Sequence, residues 1–229
     1  MPIRTLILVL LSAVLITAQS PPAAIPRLFD GKPDFNGVWD IPYTADMGRG
    51  VPGGLPFTPL GAADFKSYDP SKFDYTGHCL PAGLTRLFNT PMPMEIVQTP
   101  KRVVFLFEGF SSYIIVPTDG RKHKQDLEPT WYGDSIGWYE GDTLVVDSIG
   151  FNTKTRLDTI GHGHSDQLHV IQRFTRTDPK TIAYEITVED PKMYEKPFTN
   201  KRTFRLNPGE LMEYSCMENN KDLLEGHIK

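Results

Sequence analysis

The feature that most constrains this chain is a hydrophobic period of two. Ile182, Tyr184, Ile186 and Val188 alternate with Ala183, Glu185, Thr187 and Glu189. Successive side chains of an extended backbone point to opposite faces, so such a segment packs one face and leaves the other wet or facing a cavity. The same period recurs from Pro93 onward and predicts strands at 94–98, 102–108, 112–116, 135–139, 142–148, 167–177, 181–188, 199–206 and 210–216, with a tenth at 35–41. Glu140-Gly141, Asp178-Pro179-Lys180 and Asn207-Pro208-Gly209 punctuate them as hairpin turns. No 3.6-residue stripe follows the N-terminus. The segment 42–93 has no clear period, and its many Gly and Pro residues suggest an irregular arm wrapped over the sheet. The 19 glycines, 20 prolines and 25 aromatic residues of 229 suit strands joined by many turns and argue against disorder.

Arg4, the apolar run from Leu6 to Ile16 and small residues near Ala18 read as a secretory leader over 1–20. The run is too short to span a bilayer, and no later stretch is apolar enough. A single β domain over 21–229 is expected, in the periplasm or outside the cell. A net charge of −4 disfavours a nucleic-acid backbone binder. In an oxidising compartment, Cys79 and Cys216 are the natural pair for one disulfide; two buried thiols or a thiolate nucleophile are the alternatives.

If successive strands are antiparallel neighbours, the tight connections at 109–111, 140–141, 178–180 and 207–209 fall at one end. The long ones at 117–134, 149–166 and 189–198 then fall at the other. Loops of that length in a compact domain are usually functional, so the long-loop end is the expected working face. It gathers Arg121, His123, Trp131, Tyr132, Phe151, Asn152, Asp158, His162, His164, Asp166, Asp190 and Tyr194.

His162 and His164 are two apart, so in an extended backbone both imidazoles reach one ion or one substrate atom. Zinc or a similar divalent metal would need a third ligand, with His123, Asp158 or Asp166 as candidates. The flanking Gly161 and Gly163 weaken that geometry. Acid–base use of His164 or His123, oriented by Asp158 or Asp166, needs fewer convergent groups. Gly133-Asp134-Ser135-Ile136-Gly137 matches the nucleophile elbow, but a hairpin rather than a helix follows it, so tight glycine packing is the better reading.

Pro129-Thr130-Trp131-Tyr132-Gly133-Asp134-Ser135, Trp138-Tyr139-Glu140-Gly141-Asp142-Thr143-Leu144-Val145-Val146-Asp147 and Gly150-Phe151-Asn152 resemble the signature of a large group of exported, uncharacterised bacterial proteins. His164-Ser165-Asp166, Leu168-His169-Val170, Glu189-Asp190-Pro191, Tyr214, Cys216 and Glu218-Asn219 are similar to it too. The likeness covers about 34–220 and implies a secreted bacterial protein without implying an activity. Arg156 stands where that pattern more often has an aromatic residue. Separately, Asp34-Phe35-Asn36-Gly37-Val38-Trp39 resembles the first strand of lipocalin-like barrels, in which a late-strand arginine packs on the tryptophan; Arg202 and Arg205 are the candidates. That resemblance implies a calycin-like up-and-down barrel.

The fold expected is therefore all-β, one antiparallel up-and-down barrel or strongly curled sheet. Three functions fit it. One is binding of a small apolar, aromatic or sugar ligand at the mouth, by Arg121, Trp131, Tyr132, Phe151, Asn152, Asp190 and Tyr194. The second is hydrolysis, elimination or isomerisation at a His/Asp site. The third is an envelope-associated interaction role. Sequence alone leaves the oligomeric state open.

Overall fold

A computed structural model describes residues 24–218 and 220–221; the expected leader lies outside them. Nine strands form one antiparallel sheet: β1 Gly37–Asp40, β2 Met94–Thr99, β3 Arg102–Phe107, β4 Ser112–Pro117, β5 Asp134–Glu140, β6 Thr143–Ile149, β7 His169–Asp178, β8 Thr181–Glu189 and β9 Phe198–Asn207. Their order is β4-β3-β2-β1-β9-β8-β7-β6-β5, a meander in which β1 is inserted between β2 and β9. No hydrogen-bonded ladder joins the edges β4 and β5. They nevertheless approach closely. A β-carbon at Gly137 would lie 2.8 Å from Cγ1 of Val116, so glycine there permits the approach. The sheet is strongly curled and not closed.

Nine is an odd number, and that corrects the expected ends. With every ladder antiparallel, β4 and β5 must run in the same direction. The 118–133 connection therefore travels the length of the sheet instead of closing a loop at one end. The 108–111 turn lies at the same end as the 150–168 and 190–197 loops, not with the tight turns at 141–142 and 179–180. The 210–216 segment is a second correction. It forms no strand, and is held instead by Met212 N donating to Glu108 Oε2 at 2.8 Å, Ser111 Oγ donating to Tyr214 O at 2.9 Å, and a Cys79–Cys216 disulfide with Cα atoms 5.6 Å apart.

Three short helices lie in the arm: α1 Pro59–Ser67, α2 Pro70–Phe73 and α3 Leu84–Leu87. Thr58 and Asp69 cap the first two through their side-chain oxygens, with proline at the first helical position of each. The residue after α3, Phe88, is fully buried within the curl. Its ring stacks on Tyr184 at 5.5 Å and meets Phe107 edge-on at 5.0 Å, while Phe105 packs on Phe174 at 5.1 Å. Those positions would line the ligand cavity of an open-mouthed barrel. Here the arm's own side chain fills them, and burying it contributes about 1.5–3 kcal/mol. On the fully buried Trp39 the guanidinium that packs is Arg176, 5.2 Å from the ring, rather than Arg202 or Arg205.

The arm is stitched to the long-loop end by backbone and side-chain bonds. Thr58 N donates to Met193 O at 3.0 Å, Glu195 N to Pro56 O at 2.7 Å, Ile160 N to Ala45 O at 3.1 Å, and Asn89 Nδ2 to Leu157 O at 2.8 Å. The mouth that the loops would frame is thus roofed, and its remaining hollows lie in the seams between arm and loops.

Candidate functional site

The 150–168 loop folds around Asp158, which is fully buried. One carboxylate oxygen accepts from Gly161 N and His162 N, both at 3.1 Å; the other accepts from Met47 N at 2.7 Å and His162 Nδ1 at 2.6 Å. Four donors satisfy a carboxylate that would otherwise be costly to bury. Asp158 therefore joins arm to loop and fixes the His162 ring. That ring lies against Phe65 at 4.5 Å and Phe57 at 5.6 Å, and its Nε2 has no hydrogen-bond partner among the described residues. Asp46, Asp158 and His162 also bring one ligand atom each within 4.8 Å of one another. Because both Asp158 oxygens already accept N–H bonds, the trio suits a structural tie better than a metal. His164 is not part of it.

His164 instead faces Thr155. Its Nδ1 lies 3.0 Å from the Ser165 carbonyl, which can only accept, so Nδ1 carries the proton. Nε2 is then an acceptor, and the Thr155 hydroxyl donates to it at 2.6 Å. Burial pulls the His164 pKa below its ordinary value, which keeps the ring neutral. Asp190, also buried, accepts from Ser165 N, from Ser165 Oγ at 2.7 Å and from Lys192 N at 3.2 Å, and so holds the peptide that orients His164. Tyr194 donates to Gly163 O at 2.8 Å and Phe151 packs edge-on to His164 at 6.4 Å, both from the core.

Thr155 opens on a hollow of about 410 Å³ lined by Ser67, Tyr68, Phe73, Tyr75, Thr153, Lys154, Thr155 and Arg156. Trp131 extends this wall, 6.4 Å from the Tyr75 ring. Arg156 is ion-paired with Asp64 and lies 4.4 Å from the Tyr68 ring centroid. Lys154 lies 5.8 Å from the Trp131 ring with no carboxylate partner among the described residues. Desolvation pushes the Tyr68 hydroxyl to about 12, so it remains a donor at neutral pH.

His123 belongs elsewhere. Carried along the sheet by the 118–133 crossing, it bonds Asp134 Oδ2 at 2.8 Å and Asp147 Oδ1 at 3.1 Å. Asp147 alternates with the core residues Val146 and Ser148, which puts this contact on the face opposite the core. His169 Nε2 reaches the same Asp147 oxygen at 3.0 Å, and its Nδ1 reaches Glu189 at 3.4 Å. The other expected site residues divide as follows. Arg121 pairs with Asp119 and Asp166 with Lys192, both at 2.6 Å on the surface. Asn152 caps the turn at Lys154, and Tyr132 shares a 2.8 Å bond with Ser112.

The loop end thus brings together Asp158, His162, His164, Phe151, Asp190 and Tyr194, with Trp131 on its rim. Tyr132, bonded to Ser112 beside the 108–111 turn, lies at the same end but outside this cluster; His123 sits at the loop-side ends of β5 and β6 on the outer face, and Arg121 lies on the surface. Sequence reasoning passed over Thr155, Lys154, Tyr68, Phe73 and Tyr75. Three aromatics within eight residues of a polar arm were the available signal. Compared with known protein families, with characterised proteins and with solved structures, the chain has no match.

Proposed function

We propose that this chain is an exported bacterial protein that binds a small ring-bearing ligand, aromatic or sugar, in the hollow between α1–α2 and the 150–168 loop. The observation that carries this reading is the lining itself: Tyr68, Phe73 and Tyr75 with Trp131 beside them, and Lys154 without a carboxylate partner. Flat rings offer stacking faces, and the ammonium offers a donor for a hydroxyl or carbonyl on the ligand. A purely apolar lipocalin-type ligand is disfavoured, because Phe88 and its neighbours fill the interior it would occupy. The disulfide and the leader-like N-terminus support export. The resemblance to exported bacterial proteins agrees. Among the described residues no helix is long and apolar enough to cross a membrane.

Titration of the folded protein with phenol and with a methyl glucoside, followed by amide chemical shifts, tests the site. Saturable shifts clustered at 67–75 and 153–156 are expected. Phe73→Ala and Lys154→Ala should each weaken binding about threefold to tenfold with the fold unchanged. Shifts elsewhere, or none, would overturn the reading.

The Thr155–His164 pair favours a second reading, hydrolysis at the same hollow. A neutral imidazole accepting the hydroxyl proton is the arrangement that activates an alcohol nucleophile. Esterase turnover of p-nitrophenyl acetate that disappears in both Thr155→Val and His164→Gln, with ring binding retained, is the outcome this reading requires.

A further inference from the structure

The inner face of β9 carries Arg202 between Asn200 and Phe204, at a position where neighbouring strands place apolar side chains. Its Nε donates to Asn200 Oδ1 at 2.8 Å and one terminal nitrogen donates to Phe88 O at 2.6 Å. The guanidinium lies 5.4 Å from the Tyr184 ring centroid. The other terminal nitrogen, Nη2, is enclosed and has no acceptor. No carboxylate bonds this arginine among the described residues; burial depresses its pKa, against which the charge of Asp158 acts through space. An arginine in such a place is costly unless something supplies a negative charge and an acceptor.

Arg202 lines a hollow of about 370 Å³ between β9 and the first turn of the arm, together with Tyr43, Thr44, Ala45, Asp46, Arg49, Asn200 and Lys201. The hollow is built, not incidental. Asn200 Nδ2 donates to Met47 O at 3.0 Å, and Met47 N donates to Asp158, so the arm's turn is fixed over β9 by buried bonds. Arg49 contributes a second guanidinium, with no side-chain partner among the described residues, and Lys201 is paired with Glu185 at 2.7 Å. Three cations face Asp46 and Glu185, and the buried Asp158, whose oxygens are already taken by N–H donors, also acts on Arg202. Arg202 and Arg49 are the two cations left without a carboxylate bond, a pair that suits one carboxylate, and Asp46 on the rim repels a doubly charged anion. Guanidinium groups present N–H donors in the geometry a carboxylate accepts.

We propose that this hollow is a binding site for a small monocarboxylate, seated by Arg202 from the sheet and Arg49 from the arm. It is separate from the ring-binding hollow, and neither depends on the other. The ligand's carboxylate accepts from the guanidinium N–H groups that line the hollow, those of Arg49 above all, and its apolar body rests against Tyr43.

The test uses isobutyrate, inorganic phosphate and isobutyramide as probes, with the whole protein in low-chloride buffer. Isobutyrate should raise the melting temperature saturably and shift the Asn200, Arg202 and Arg49 resonances, while the neutral amide does neither. Arg49→Gln, an exposed change that leaves the fold intact, should weaken isobutyrate at least about fivefold. Lys154→Ala should leave it unchanged, which separates this site from the ring-binding hollow. Arg202→Met, checked for folding by circular dichroism, should abolish binding. Tighter binding of phosphate than of isobutyrate would overturn the ligand class. No saturable response to either anion, or equal response in wild type and Arg49→Gln, would overturn the site.

Discussion

Two histidine pairs sit at the two sides of one sheet wall, and one ring of each, His169 outside and His164 inside, is treated oppositely. On the outer face, a chain runs Asp134–His123–Asp147–His169–Glu189, in which every ring nitrogen meets a carboxylate oxygen. At the loop end, His162 and His164 are almost fully buried, and His164 meets a carbonyl and a hydroxyl. Charge partners raise the pKa of His169, first through its bond to Asp147, whereas burial lowers that of His164. His169 thus favours its cationic form outside, and His164 its neutral form inside. Only the neutral form can accept a proton from a substrate or a hydroxyl, which is why the functional weight falls on the loop end.

The largest way to break the contrast is through the carboxylates that organise each side. Asp158→Ala removes the acceptor of four buried donors and should cost about 3–5 kcal/mol. Asp147→Ala, on the partly exposed face, should cost about 1 kcal/mol. Urea midpoints of the two variants measure the difference directly. Equal losses would mean that the loop end is no better organised than the surface.

Next in size is the covalent tie of the loop end. The disulfide joins the tail to the arm across a sequence separation of 137. Replacing both cysteines by serine should lower stability by about 2–4 kcal/mol. Hydrogen exchange should speed up chiefly at 75–81 and 210–218 and leave the 123/147/169 face unchanged. Uniform acceleration would show that the two regions unfold as one.

Most of the sheet was legible because alternation is local. Each of the 94–98 to 199–206 predictions overlaps an observed strand within a few residues. The 210–216 segment misled because Leu211, Met212 and Tyr214 look strand-like, yet both edges of β9 are already paired, with β8 and β1. A further strand had no neighbouring edge to join. The arm helices carried Thr58-Pro59 and Asp69-Pro70 start signals. They were obscured because α1 buries only Gly61 and so shows no apolar stripe. The placement of His123 was out of reach for a different reason. It depends on which face of the sheet the 118–133 crossing runs over, and strand alternation does not encode that. The His-x-His spacing was visible, but Asp158 and Thr155 pull the two rings to different partners, which no spacing rule encodes.

Titration sharpens the comparison with smaller effects of opposite sign. His169 has a raised folded pKa, so its contribution is complete below about 6.5 and is lost as pH rises through the folded value. His164 has a lowered folded pKa, so its contribution is complete above about 6.5 and declines as pH falls. His169→Gln should therefore flatten the alkaline side of the stability profile, and His164→Gln the acid side. Thermal melts from pH 5 to pH 8 in both variants check this. If each flattened the other's side, the assignment of a charged His169 and a neutral His164 would be reversed.

The smallest expected effect lies at the end of the outer chain. Glu189 is directly opposite His169 across the β7–β8 ladder, but their bond is long at 3.4 Å and the Glu189 side chain is about half exposed, at 53%. Water screens such a pair, and holding two side chains in one geometry opposes the gain, so Glu189→Gln should cost about 0.5 kcal/mol or less. The glutamine keeps an oxygen that can still accept from Nδ1, which leaves the loss of charge as the main change. The His169 titration should move slightly downward and remain above the ordinary histidine value, because Asp147 is its stronger partner. A collapse of the His169 shift on this substitution would mean that Glu189, not Asp147, holds the outer ring charged. The chain of five would then be a trio, Asp134–His123–Asp147, beside a separate His169–Glu189 pair.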